Sequence, residues 1–188
     1  MLKLYGATSV SRAGIVEWYL KEIGVDREFV GLDMMETKEH RNPEFLAINP
    51  MGKVPTIVDG DLTLWESGAI LLYLAEKHGK MPEAIEQRAK IYQWLIFSNS
   101  TLVQGLFIEA NREKESPKLL SGLNQVLQDR SYLLGEEFSV ADVAVGSILG
   151  FAIGMLKMDF NDYPAVLKYI QKITERSAYK ESIGKVPA

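Results

Sequence analysis

The sequence predicts an α/β unit followed by an all-helical unit in one chain of 188 residues. Three observations carry this expectation. Short alternating runs and amphipathic stretches interleave in the order βαβαββα up to residue 78, strands having a period of 2 and helices one of 3.6. After "GKMPEAIEQ" only long helical patterns recur. Between the two, Gly79 and Pro82 interrupt the periodicity, which predicts domains at 1-78 and 84-188 joined by a linker at 79-83.

The elements follow in order. "LKLY", residues 2 to 5, alternates as a strand does, and Ala13 to Ile23 place Ile15, Val16, Tyr19, Leu20 and Ile23 at helical spacing before Gly24, a stop signal. "REFVGLD" reads as a second strand, so the opening β-α-β unit should be parallel and right-handed. Asn42 and Pro43 suit the cap and first position of a short helix through Ala47, after which Asn49-Pro50 requires extended backbone. "VPTIVDGDLTLW" is two alternating runs around Asp59-Gly60, a dipeptide fit for a tight antiparallel hairpin. Ser67 then caps "GAILLYLAEKHG", which Gly79 ends.

Helical patterns in the second half cover about 84 to 112, 117 to 132, 140 to 156 and 163 to 175. Val143 to Leu156 is uncharged for fourteen residues, with Gly146, Gly150 and Gly154 at helical spacing. A membrane span needs about 20 apolar residues, and Asp142 and Lys157 close this run. The expectation is a central buried helix with a glycine groove, its start held by a reciprocal cap between Ser139 and Asp142.

Composition excludes several chemistries. There is no cysteine, hence no disulfide, thiolate zinc site or cysteine nucleophile of the chain's own. With only His40 and His78 and no metalloprotease or EF-hand pattern, no metal site is expected. The formal charge is -4 with both signs interspersed, so there is no basic stripe for nucleic acid. "MLKLYGATSV" lacks the apolar core of a signal peptide, which predicts a cytoplasmic protein without membrane association.

The segment "EHRNPEFLAINPMGKVPTIVDGDLTLWESGAILLYL", residues 39 to 74, closely resembles the glutathione-site segment of cytosolic glutathione transferases, notably the theta-like and phi-like classes and their bacterial relatives. "GEEFSVADVAV" resembles that family's N-capping box, and the short, cysteine-free chain is similar to its compact chi group. The resemblance implies a thioredoxin-like βαβαββα domain that binds glutathione as cosubstrate, no resident cofactor, a helical second domain, and a homodimer. It implies a cis Val54-Pro55 bond, which sequence alone would take as trans at a strand start, presenting the Val54 backbone to the cysteinyl group. Glu66 and Ser67, at a helix start that favours an anion, would hold the charged γ-glutamyl head. His40, Arg41 and Lys53, otherwise solvated charge, would face the glycine carboxylate. Met51 would lodge against the partner subunit.

Thiol activation is expected from "SVSRAGIVEW", residues 9 to 18. A register set by Trp18 and Gly24 selects Ser11, and one set by Arg12 selects Thr8. Ser9 and Arg12 are further donors, and Tyr5 resembles the tyrosine of other classes. Ser11 is the first choice. The implied reaction is thiolate attack on a small electrophile, isothiocyanates being one class, with glutathione peroxidase activity as a second. Phe97, Phe107 and Ile108 are candidate acceptor-site residues, though ordinary core positions for such side chains. The rival reading is a non-catalytic interaction module on the same fold.

Overall fold

The structure, a computed structural model, describes residues 1–185. Four strands, β1 (Leu2–Ala7), β2 (Arg27–Leu32), β3 (Thr56–Asp59) and β4 (Leu62–Trp65), form one sheet in the order β2-β1-β3-β4. β1 and β2 are parallel, and the β1–β3 and β3–β4 pairs are antiparallel. The hairpin closes through Gly60, at φ 62°, the positive value expected of it. Helices α1 (Ala13–Glu22), α2 (Pro43–Ile48) and α3 (Ser67–Lys77) complete the βαβαββα order. Gly24 and Gly79 end α1 and α3 at φ 67° and 64°, a left-handed conformation that glycine adopts without steric cost.

Two expected caps differ. The Asn42 side chain makes no capping bond, and only its carbonyl accepts, from Leu46 N–H. Ser67 is the first residue of α3, and Glu66 holds the cap position at φ 69°.

The helical half contains α4 (Ile85–Phe97), a π-helical turn (Ser98–Leu102), α5 (Val103–Phe107), α6 (Glu109–Leu127), α7 (Val140–Leu156), α8 (Pro164–Thr174) and α9 (Ser177–Lys180). The expected break near Pro117 is absent: α6 runs through that proline, and the chain instead turns at Ile108, which is extended. The Arg112 guanidinium donates to Leu106 O (2.6 Å) and Phe107 O (3.5 Å), and Asn111 Nδ2 donates to Gln104 O (3.4 Å). These side chains satisfy the orphan carbonyls at the end of α5. Gly105 lets α6 approach, since a Cβ there would lie 2.2 Å from Leu119 Cδ1.

α7 is the central buried helix. Of its three spaced glycines, Gly146 faces Ile173 and Gly150 faces the Tyr179 hydroxyl, while Gly154 meets nothing within 4 Å among the described residues. The groove is thus two residues long. Asp142 is fully buried and accepts from four donors: Ser139 N–H (2.8 Å), Ser139 Oγ (3.0 Å), Leu133 N–H (2.9 Å) and Tyr169 Oη (3.2 Å). The reciprocal cap is therefore present, and the same carboxylate also ties α7 to α8 and to the loop before it.

One apolar core runs through both halves and includes Leu4, Val16, Trp18, Ile70, Leu74, Val143 and Ile148. Its edge is pinned by Glu22, whose carboxylate accepts from Trp18 Nε1 (2.8 Å) and, in bidentate fashion, from Arg176 (2.7 and 2.6 Å). A Cβ on Gly6 would lie 2.6 Å from Ala13 Cβ and 2.7 Å from the Phe29 ring. Gly6→Ala is therefore expected to cost about 1 to 3 kcal/mol by forcing α1 off β1, read as a lower denaturant midpoint.

Candidate active site

The site lies at one end of the sheet, where Tyr5, Thr56 and Trp65 form a single rung across β1, β3 and β4. Three segments leave that rung on the same side: Thr8 to Arg12 after β1, Val54-Pro55 before β3, and Glu66-Ser67 after β4. The carboxyl end of the parallel β1 strand is a usual ligand position in such sheets. The Val54-Pro55 bond is cis, in agreement with the expectation.

Asn49, fully buried, shapes the loop before that bond. Its Nδ2 donates to Lys53 O (2.9 Å) and Thr56 Oγ1 (3.0 Å), and its Oδ1 accepts from Met51 N–H (3.0 Å). Gly52, at φ 60°, packs this loop against the His40–Arg41 turn, since a Cβ there would lie 2.9 Å from His40 O and 3.0 Å from the Arg41 guanidinium. The structure thus gathers His40, Arg41 and the Lys53 backbone. His40 Nδ1 is buried and, among the described residues, unpartnered.

The approach to this turn is organised by Asp33, just past β2, whose carboxylate accepts from the N–H groups of Met35, Glu36 and Thr37 (2.9, 3.0 and 3.0 Å) and from Thr37 Oγ1 (3.1 Å). Those backbone hydrogen bonds, Thr37 foremost, pull its carboxyl down to about 2. A depressed folded-state pKa stabilises above the unfolded value of about 3.9 and loses that contribution as pH falls. The 33–37 loop is expected to keep its amide protection at pH 4 and lose it as pH approaches 2. Asp33→Asn should remove this pH step from amide exchange.

The opening serines differ in setting. Ser9 is exposed and Ser11 half-buried. Ser11 Oγ accepts from Ala13 N–H (3.3 Å), one of the orphan donors at the start of α1. Accepting there leaves its own O–H to donate outward, and polarises it. Tyr5 is half-buried and its ring packs on Phe45 at 5.6 Å, as a structural aromatic does. Arg12 and Ser67 converge on a residue the sequence did not single out: Asn99 Oδ1, in the π-helical turn, accepts from Arg12 Nη1 (3.3 Å) and Ser67 Oγ (3.3 Å). Ser67 is buried, and Glu66 is exposed beside it. A non-glycine residue at positive φ stores about 1 to 3 kcal/mol, so Glu66 occupies its position against a local cost.

Beside Ser9 and Ser11 lies a cleft of about 570 Å³ whose apolar walls include Val10, Phe29, Phe151 and Ile183. The expected acceptor residues do not line it. Phe97 packs edge-on against Trp94 (5.5 Å), Phe107 is half-buried against the core, and Ile108 is exposed at the α5–α6 corner. A larger cavity, about 790 Å³ at the domain junction near Tyr19 and Arg176, contains none of the candidate residues. Among the described residues no group of three or more His, Asp or Glu is placed to hold a metal, and no helix is long and apolar enough to cross a membrane.

A four-stranded α/β domain with a cis-proline loop, joined to a helical domain whose Asn99 reaches into its site, is a two-domain protein built on the thioredoxin-like fold. Residues 1–76 match the glutathione S-transferase N-terminal domain, and 85–182 match the C-terminal domain. The chain belongs to the glutathione S-transferase family. It is 30% identical to glutathione S-transferase F9 of Arabidopsis thaliana, over 98% of this chain and 97% of that protein. A glutathione transferase from Burkholderia graminis, solved with two glutathione molecules bound per subunit, is similar at 28% identity and TM-score 0.85, over 98% of this chain and 88% of that one. A theta-class glutathione S-transferase from Xanthomonas axonopodis pv. citri, solved with glutathione bound, has 26% identity and TM-score 0.83, over 97% of this chain and 96% of that one.

Proposed function

We propose that this glutathione S-transferase binds glutathione across the three segments at the end of the sheet and ionises its thiol through Ser11. The observation that carries the reading is that the cis Val54-Pro55 loop, buried Ser67 and the turn holding Ser11 all leave the same end of the sheet. In this reading the Val54 backbone pairs with the cysteinyl group, the first N–H groups of α3 take the γ-glutamyl carboxylate, and Glu66 takes its ammonium together with the Ser67 oxygen, whose proton goes to Asn99 and which is left to accept. His40, Arg41 and Lys53 face the glycine carboxylate. Ser9 and Arg12 support the thiolate from the same turn, and Ser11 acts as a hydrogen-bond donor to sulfur.

The acceptor is a small electrophile seated in the cleft beside Val10, Phe29 and Phe151. With an isothiocyanate, sulfur bonds to the central carbon, the electron pair moves to nitrogen, and nitrogen takes a proton from water. The same thiolate can open a peroxide O–O bond, a second glutathione then completing the disulfide, which would give peroxidase activity. The protein is proposed to act in the cytoplasm as a homodimer. Met51, exposed in the loop before the cis-proline, would lodge against the partner subunit.

Retention on immobilised glutathione, followed by turnover with a panel of electrophiles and peroxides, tests the proposal. Binding with turnover supports it. Folded protein that is retained but turns over nothing favours the interaction-module reading, and folded protein that is not retained removes the glutathione site.

A further inference from the structure

Asn99 comes from the helical domain, yet its side chain is the hub of the candidate site. Its Nδ2 donates to Leu95 O (3.1 Å), one turn earlier, which fixes the amide's orientation and turns Oδ1 toward Ser67 and Arg12. The approach is close: a Cβ on Gly68 would lie 2.8 Å from Asn99 Nδ2, so the absence of a side chain at 68 is what admits the carboxamide over the start of α3. The acceptor is also neutral. Among the described residues Arg27, Arg88 and Arg176 each pair with a carboxylate, whereas no ion pair involves Arg12 and its recorded side-chain partner is this amide. A guanidinium oriented by an uncharged acceptor keeps its full charge for its surroundings, whereas a carboxylate in the same place would cancel most of it.

We infer that Asn99 is a positioning residue for glutathione activation: it sets the Ser67 hydroxyl and the Arg12 guanidinium on one oxygen while leaving the Arg12 charge unneutralised next to Ser11. The inference rests on the reading of Ser11 and Ser67 given above. Asn99 touches neither the sulfur nor the acceptor in this scheme. It acts by orienting one group that binds glutathione and one that favours its thiolate.

Three variants test it on the full-length protein. Asn99→Asp matches the amide in size but pairs with Arg12, and is expected to move the acid limb of the kcat/KM–pH profile up by about 0.5 to 1 unit. Asn99→Ala releases both donors and is expected to raise the KM for glutathione about five- to tenfold, with the KM for the electrophile unchanged. Gly68→Ala, which leaves Asn99 in the chain and is favourable within a helix, should reproduce the Asn99→Ala result by displacing the carboxamide. Thermal melting of each variant separates these effects from loss of fold. A pH profile unmoved in Asn99→Asp, while wild type binds glutathione and turns over, overturns the inference and leaves the parent reading standing. A wild-type protein that takes up no glutathione removes both.

Discussion

Ser11→Ala is expected to raise the pKa of enzyme-bound glutathione by about 1 to 2 units, the equivalent of the 1.5 to 3 kcal/mol that a hydrogen bond to a charged group contributes. A free thiol near pKa 8.5 is mostly protonated at neutral pH, and lowering it by about 2 units needs about 2.7 kcal/mol of selective thiolate stabilisation. A helix N-terminus typically adds only 0.3 to 1 kcal/mol, so the hydroxyl carries the larger share. Ser11 is suited to this because its oxygen already accepts from Ala13 N–H, leaving its proton for sulfur. Below pH 7 the variant should turn over about tenfold or more slowly, with the loss shrinking as pH rises and the thiol ionises without help. Absence of a shift would transfer the donor role to Ser9 or Arg12. The same substitution in Ser9 and Arg12 makes that comparison direct.

Asp142→Ala is expected to be the most destabilising single change outside the site. Removing the carboxylate leaves Leu133 N–H and Ser139 N–H without their acceptor in or beside the core, while Tyr169 O–H keeps only the backbone carbonyl of residue 142 (3.3 Å), and each buried orphan costs about 1 to 3 kcal/mol. A total of about 3 to 5 kcal/mol corresponds to a melting point lower by roughly 10 °C for a chain of this size. Turnover per folded molecule should hold, since Asp142 is bonded only to structural groups of the helical domain. Asp142→Asn, which keeps an acceptor for Leu133 and Tyr169 but sets an amide nitrogen against Ser139 N–H, should fall between. An unchanged melting point in Asp142→Ala would contradict this account of the cap.

Local signals were legible in the sequence wherever they were sufficient. The Asp59-Gly60 hairpin, the Gly24 and Gly79 stops and the Ser139–Asp142 cap each depend on residues a few positions apart, and each is present. The cis Val54-Pro55 bond came from family resemblance alone. What was missed depends on which partner a polar side chain takes in the fold, near or far along the chain. Periodicity placed a break at Pro117, but Arg112 and Asn111 reach back to the α5 carbonyls and move the turn to Ile108. Ser67 read as a cap because serine before an apolar run usually is one; in the fold its hydroxyl is taken by Asn99, 32 positions on. Asn99 itself carries no local signal, since a polar residue in a long helical pattern reads as surface. The same applies to Asn49, whose importance lies in holding the loop before the cis-proline.

The most direct test is the ultraviolet thiolate absorbance of the protein–glutathione complex followed from pH 5 to 9. The bound thiol is expected to titrate about 2 units below the free value, near 6.5, and to move back toward 8.5 in Ser11→Ala. A complex whose sulfur titrates with the free thiol, or folded protein that takes up no glutathione at millimolar concentration, would contradict it.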